Sequence, residues 1–363
     1  GTLANLKTVT VAGTAGLTLA AATANTITSI NTTATTGTVT ATIDAGKATY
    51  TGGAGVDNVT TTTTTAPTKA INLGAGNDTI TLASGTTAMG TAGTINGGDD
   101  TLSMLAADAS TTGASANTTF AGKVTNFEQL TLTGATGDQT VDAAKLGNYN
   151  YVTVTAGAVA TATTTLTGLT SGATIALNDA VDTNNANDTI VATIKDAILV
   201  ANTSDVLNIA ISAKAASAGT AGTADDNGTV TAAGVETINI SVLDAVNEAT
   251  VVGAPVGTKN DAPDTQNLTL QATSAKTITI TGDTALNLTN VGNTAVTLID
   301  GSTMTGALTV QAAGTVATTI KGGSGNDVLT ASATLPVSAG TAEVQTMSIT
   351  AGSSAVVLEQ QTM

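Results

Sequence analysis

The chain has 363 residues, of which 41% are apolar, 1% aromatic and 10% charged, with a net charge of -16. Histidine, cysteine and arginine are absent, which leaves no thiolate nucleophile, no histidine-based triad and no tetrahedral zinc site. The acidic balance argues against nucleic acid as a partner, and no stretch of 18 apolar residues offers a membrane span.

With so few large rings, the core has to be thin and filled by Ala, Val, Leu and Ile, while abundant Thr, Val and Ile favour strands. The expected fold class is all-β: parallel β-roll or β-solenoid segments, bound to a cation named below from their glycine motifs, with regions of short-strand sheet, elongated. Residues 1–50 read as a short-strand solenoid segment, with apolar pairs at Val9 and Val11, Leu17 and Leu19, and Ile27 and Ile30. Residues 51–110 carry glycine motifs: GGAGVDNVT from Gly52, LGAGNDTIT from Leu73 and a shortened NGGDDTLSM from Asn96. Residues 111–265 read as a less regular β-rich middle with strands in FEQLTLTG, YVTVTAG, DVLNIAIS and VETINISV. Short helices are expected near Asp142–Leu146 and Ile194–Val200, and loops at 214–229 and 253–266. Residues 266–363 repeat every nine residues (LTLQATSAK, TITITGDTA, LNLTNVGNT, AVTLIDGST), each unit opening on an alternating apolar pair, the last on Val296 and Leu298. A second glycine site, GGSGNDVLT, starts there at Gly322. A strand and a turn every nine residues is the beat of a β-solenoid or of a sheet of very short strands. The chain opens on Gly with no basic-then-apolar leader, so a fragment or processed piece of something longer is expected.

Aligned, the glycine motifs give G-G-x-G-x-D-x-U-x, with the apolar U at Val59, Ile80, Leu102 and Leu329. Glycines let the backbone curl so that carbonyl oxygens face one point, and the aspartate adds a charged oxygen. One loop offers too few ligands for calcium, which takes six to eight oxygens, but two loops on consecutive coils supply them. Asp57, Asp78 and Asp100 are 21 and 22 residues apart, close to a coil of two nine-residue halves with excursions at Thr60–Pro67 and Ala83–Gly93. They are therefore expected to line one edge of a solenoid. Asp327 needs a partner loop, with Asp300–Gly301 as the candidate. NNANDTIV, ending in Asp188 and Ile190, has lost its glycines and reads as a plain turn. Glu128 and Glu236 stand just before strands, as calcium ligands or edge charges.

These nonapeptides resemble those of RTX proteins, the exported calcium-binding proteins of Gram-negative bacteria. With NFEQLTLTG at 126–134, AAGVETINIS at 232–241 and the run 268–297, the chain is similar to the C-terminal, lattice-forming region of RTX surface-layer proteins of the Caulobacter type. The resemblance implies a protein secreted by a one-step type I pathway that assembles with calcium into a two-dimensional crystal on the outer membrane. It implies calcium at Gly53, Gly55 and Asp57, at Gly74, Gly76 and Asp78, at Gly98, Asp99 and Asp100, and at Gly323, Gly325 and Asp327. Leu73 stands in place of a first glycine, and the 96–100 loop is two residues short. Partners implied are the chain itself, several calcium ions, and surface polysaccharide through a region outside this chain. The alternative expectation is an RTX adhesin or a repeat stalk of a larger secreted protein. An enzyme is not expected, since a carbohydrate-cleaving pair of carboxylates would lack aromatic platforms here.

Overall fold

The computed structural model describes residues 5–19, 26–62, 66–98, 100–114, 118–134, 137–155, 162–178, 188–199, 203–213, 225–244, 265–313, 316, 318–331, 337–338 and 346–349. The protein is mainly β. Its strands form three all-parallel sheets in which each strand pairs with the strand two places away in chain order. Successive strands thus alternate between sheets and the chain winds in coils, the arrangement of a β-solenoid or β-roll. The chain divides into two units, residues 1–135 with 139–153 and residues 136–138 with 154–363.

In the first unit, one sheet takes β1 (Thr8–Gly13), β3 (Ser29–Thr35), β5 (Thr49–Thr51), β7 (Ala70–Asn72), β9 (Thr94–Asn96) and β11 (Val124–Thr125). The alternate strands β2 (Leu17–Leu19), β4 (Val39–Ile43), β6 (Asp57–Thr61), β8 (Thr79–Thr81), β10 (Thr101–Leu105) and β12 (Gln129–Thr133) form a run in another sheet. Register stacks like on like. Ile30, Tyr50, Ile71, Ile95 and Val124 make one buried column, and Ala41, Val59, Ile80, Leu102 and Leu130 make the other. Period-two alternation turns these side chains inward and the threonines between them outward. Because each inner layer is one β-branched or leucine side chain deep, almost no aromatic volume is needed. Tyr50 and Phe120 are among the few rings and are fully buried.

Between β10 and β11 lie helices α1 (Ala106–Ala114) and α2 (Thr118–Ala121), which the sequence reading placed in no helix. The Ala-Ala-Asp-Ala start favours a helix, with Asp108 in its first turn and Ala109 buried. Past β13 (Gln139–Asp142), the expected short helix is present as α3 (Ala143–Leu146). Asp142 caps it by accepting from the Lys145 N–H at 3.2 Å. β14 (Tyr151–Thr155) follows.

The second unit winds in the same way within itself. One run is β16 (Ala173–Asn178), β18 (Val206–Ala213), β20 (Thr237–Asp244), β22 (Thr277–Gly282), β24 (Leu298–Asp300), β26 (Thr319–Lys321) and β28 (Val337–Ser338). The other is β15 (Thr163–Leu169), β17 (Thr189–Ile194), β19 (Asp225–Ala232), β21 (Thr265–Gln271), β23 (Ala285–Asn290), β25 (Leu308–Gln311), β27 (Val328–Ala331) and β29 (Thr346–Ile349). Leu207, Ile238, Ile278, Ile299 and Ile320 stack in the first run. Leu268, Leu288, Val310 and Leu329 stack in the second. From Leu268 on, one strand and one turn alternate and two such units close a coil, but the coil takes 21 residues rather than twice nine, the turns being longer than expected: Thr277 pairs with Leu298, and Leu298 with Thr319. In the middle the coils lengthen, so that Thr237 pairs with Thr277 across a longer excursion.

Two expectations are corrected. The helix expected near Ile194–Val200 is absent from 194–199, the described part of it: Ile194 ends β17, the Lys195 N–H bonds Leu169 of the preceding coil, and Asp196 sits at φ 63. That left-handed residue stops helical winding, and seven residues are too few to nucleate a helix unaided. In the fourth nine-residue unit the inward pair is Val296 and Ile299, with Leu298 only half-buried, because a turn precedes β24 and shifts the alternation by one.

Candidate functional site: a column of buried carboxylates beside the glycine loops

The loop after β5 carries Gly53 and Gly55, the loop after β7 carries Gly74 and Gly76, and the two stack in successive coils. A Cβ on Gly53 would collide with the carbonyl oxygens of Thr32 and Thr35, and one on Gly74 with that of Gly53. Gly74 also holds φ at 104, where an L side chain is strained. Glycine is thus required because backbone carbonyls of one loop press against the Cα atoms of the next. Gly55 sits in the same way on Gly37, and Gly76 on Gly55. Gly98 has its nearest neighbours in the Gly74 carbonyl and the Asp100 carboxylate.

Each loop ends on an acid that heads a strand. Asp57, Asp78 and Asp100 are 0%, 1% and 2% exposed, which for three carboxylates in one column decides the electrostatics. The main chain links them. The Asp57 N–H donates to Asp78 Oδ1 at 2.8 Å, the Asp78 N–H to Asp100 Oδ1 at 2.7 Å, and the Asp100 N–H to Glu128 Oε2 at 2.7 Å. The expected edge of Asp57, Asp78 and Asp100 is therefore present, with Glu128 as its fourth member. Asp57 Oδ2 takes the Gly53 N–H at 3.3 Å. Asp57 Oδ1 and Asp78 Oδ2 are buried and accept no hydrogen bond.

Burial pushes the Asp78 carboxyl up to about 6, against the Asp57 N–H that favours its charge; the neighbouring Asp100 and Asp57 charges add to the rise. Asp57 is raised as well, chiefly by burial, with the Tyr50 hydroxyl and the Gly53 N–H opposing it. The cost of these charges is relieved either by taking up a proton or by a positive counterpart.

In the second unit Asp327 repeats the arrangement. Its Oδ1 accepts the Leu308 N–H at 2.8 Å, its Oδ2 is buried without a hydrogen bond, and burial raises its carboxyl. Gly323 stacks on the carbonyls of Met304 and Gly301, and Gly325 on that of Gly306. The partner loop is thus 301–306, so Gly301 belongs to it. Asp300 does not: its carboxylate pairs with Lys321 at 2.8 Å and with Ser302. Although burial opposes it, those partners hold its carboxyl below the usual range.

Asp99 lies outside the described residues, as do Asp179, Asp182, Asp261 and Asp264. Asp225 accepts from Gln266 and Asp226 from the Gly228 N–H, so both have local partners. Asp188 does more than make a turn, since its Oδ1 accepts the Ala162 N–H of the preceding coil at 3.0 Å. Sequence reasoning also passed over Asp205, whose N–H donates to Glu236 Oε2 at 3.0 Å. The shared signal is an acid immediately ahead of an alternating apolar strand, with or without glycines.

Among the described residues no three carboxylates gather at one point. A cation here would draw most of its oxygens from main-chain carbonyls. The two loop pairs meet that requirement: each combines a buried carboxylate oxygen without a hydrogen bond and carbonyls crowding a glycine Cα. All the donors are oxygen, which suits a hard divalent ion. No protein-family model matches the chain, and no curated protein matches it.

Proposed function

We propose that the protein is a structural component of a calcium-dependent, self-assembled surface layer, secreted to the outside of a Gram-negative cell. One observation carries the reading: Asp57 Oδ1, Asp78 Oδ2 and Asp327 Oδ2 are sealed from water with no hydrogen bond, each beside a glycine loop stacked on the carbonyls of another. Calcium, when bound, supplies positive charge and accepts oxygen ligands. Gly53, Gly55 and Asp57, with Gly74, Gly76 and Asp78, would hold it in the first unit, continued by Gly98 and Asp100. Gly323, Gly325 and Asp327 would hold it in the second.

The chain's part is to stack these oxygens by parallel register, keep water from them, and cap buried main-chain N–H groups of neighbouring coils with the remaining carboxylate oxygens. With a net charge of -16, copies of the chain repel at neutral pH, and bound cations reduce that repulsion. Assembly and coil closure therefore share one ion. Surface polysaccharide, contacted by a region outside this chain, is the proposed anchor.

Electron microscopy of the purified chain with millimolar calcium and with chelator tests this. Ordered sheets in calcium that disperse on chelation are expected. A chain that stays monomeric in calcium and adheres to a glycan surface would replace the layer with an adhesin.

A further inference from the structure

We infer that Asp205 and Glu236 form a separate divalent-cation site, outside every glycine motif; it goes beyond the proposed function and takes from it only the identity of the ion. Asp205 heads β18 and is 3% exposed. Its Oδ2 is buried and accepts no hydrogen bond. Glu236 heads β20, the next strand of the same sheet, and its Oε2 lies 3.0 Å from the Asp205 N–H. In return the Glu236 and Thr237 N–H groups both donate to the Asp205 carbonyl, at 3.2 and 3.0 Å.

Among the described residues the same bond pattern occurs once more, in the first unit. Asp100 donates its N–H to Glu128 Oε2, and the Glu128 and Gln129 N–H groups donate to the Asp100 carbonyl at 3.1 and 3.2 Å. There the pair closes the carboxylate column of the glycine loops. Asp205 and Glu236 reproduce that acid geometry where no G-G-x-G loop precedes it, in the local sequences SDVLNI and GVETINI.

A capping role alone explains Glu236, whose oxygen takes an N–H. It does not explain Asp205, whose sealed oxygen takes nothing and which has no lysine paired with it among the described residues. An uncompensated buried carboxylate oxygen, on a residue whose own N–H is capped by a second carboxylate from the next coil, is the electrostatic demand that a hard cation meets. Oxygen-only donors on adjacent coils select a calcium-like ion over a softer metal.

The test uses the full chain and calcium chloride. Bound calcium is counted by equilibrium dialysis for the unsubstituted chain, Asp205→Asn, Glu236→Gln and Asp78→Asn. Thermal unfolding is then followed in calcium and in chelator. Asp205→Asn and Glu236→Gln are each expected to bind one ion fewer and to lower the midpoint in calcium but not in chelator. Glu236→Gln keeps an oxygen for the Asp205 N–H and carries the test if Asp205→Asn does not fold. An unchanged ion count in both, with an ion lost in Asp78→Asn, overturns this site and leaves the glycine-loop reading intact. A midpoint lowered equally in calcium and chelator also overturns it, because that is the mark of a cap. An unsubstituted chain that binds no calcium overturns both readings.

Discussion

Asp78 puts the energetic question at its sharpest. A carboxyl raised to about 6 in the folded chain, against about 4 in an unfolded one, binds its proton more tightly when folded. Its stabilising contribution without calcium is therefore fully present below about pH 4 and is lost as pH rises through about 6. Asp57 and Asp327 shift in the same direction. In chelator, calorimetry should give a lower thermal midpoint at pH 7.5 than at pH 5, with Asp78 alone contributing about 1–1.5 kcal/mol, because at pH 5 its unfolded form has already lost most of its protons. A midpoint that rises over that interval would count against buried, unneutralised carboxylates. Asp78→Asn keeps the oxygen that accepts the Asp57 N–H but removes the charge. It should unfold in chelator at or above the midpoint of the unsubstituted chain and gain less from calcium. Gly74→Ala combines a left-handed φ with a collision on the Gly53 carbonyl, so urea unfolding should show a loss of more than about 1–2 kcal/mol.

The coil is the next scale, and its strength lies in the stacked columns. Ile80 stands between Val59 and Leu102 in register and is fully buried, whereas Thr60, one residue after Val59, lies on the opposite face and is exposed. Ile80→Ala should cost about 2–5 kcal/mol by urea unfolding, and Thr60→Ala less than about 0.5 kcal/mol. Equal effects would contradict the inward assignment. The apolar alternation was legible wherever a strand followed directly on a motif acid, as at Val59, Ile80, Leu102 and Leu329. It failed at Val296 and Leu298, where a turn moved the inward position to Ile299, and a one-residue slip exchanges the two faces of a strand. Helix α1 escaped because its Ser-Thr-Thr-Gly half reads as loop; its contacts with β13, many residues onward, override local preference. Glu128 was visible as an acid before a strand, but its bond to the Asp100 N–H depends on coil register, and sequence spacing alone does not reveal a coil of 28 residues.

Over the whole molecule, 26 acidic residues face 10 lysines with no arginine or histidine. Among the described residues lysine pairs with acids outside the core: Lys321 with Asp300, and the short-range pairs Lys47 with Asp44 and Lys145 with Asp142. Each of these aspartates is partly exposed, while Asp57, Asp78, Asp205 and Asp327 are sealed. Under the proposed function, lysine stays with the surface acids among the described residues and an external cation answers the interior ones. The central claim is that calcium is that cation. Thermal unfolding at pH 7.5, followed by far-ultraviolet circular dichroism in millimolar calcium and in chelator, tests it most directly. The account predicts a midpoint many degrees higher in calcium, since ligand at 100 times its dissociation constant adds about 2.7 kcal/mol per site. Superimposable curves in the two conditions would contradict it.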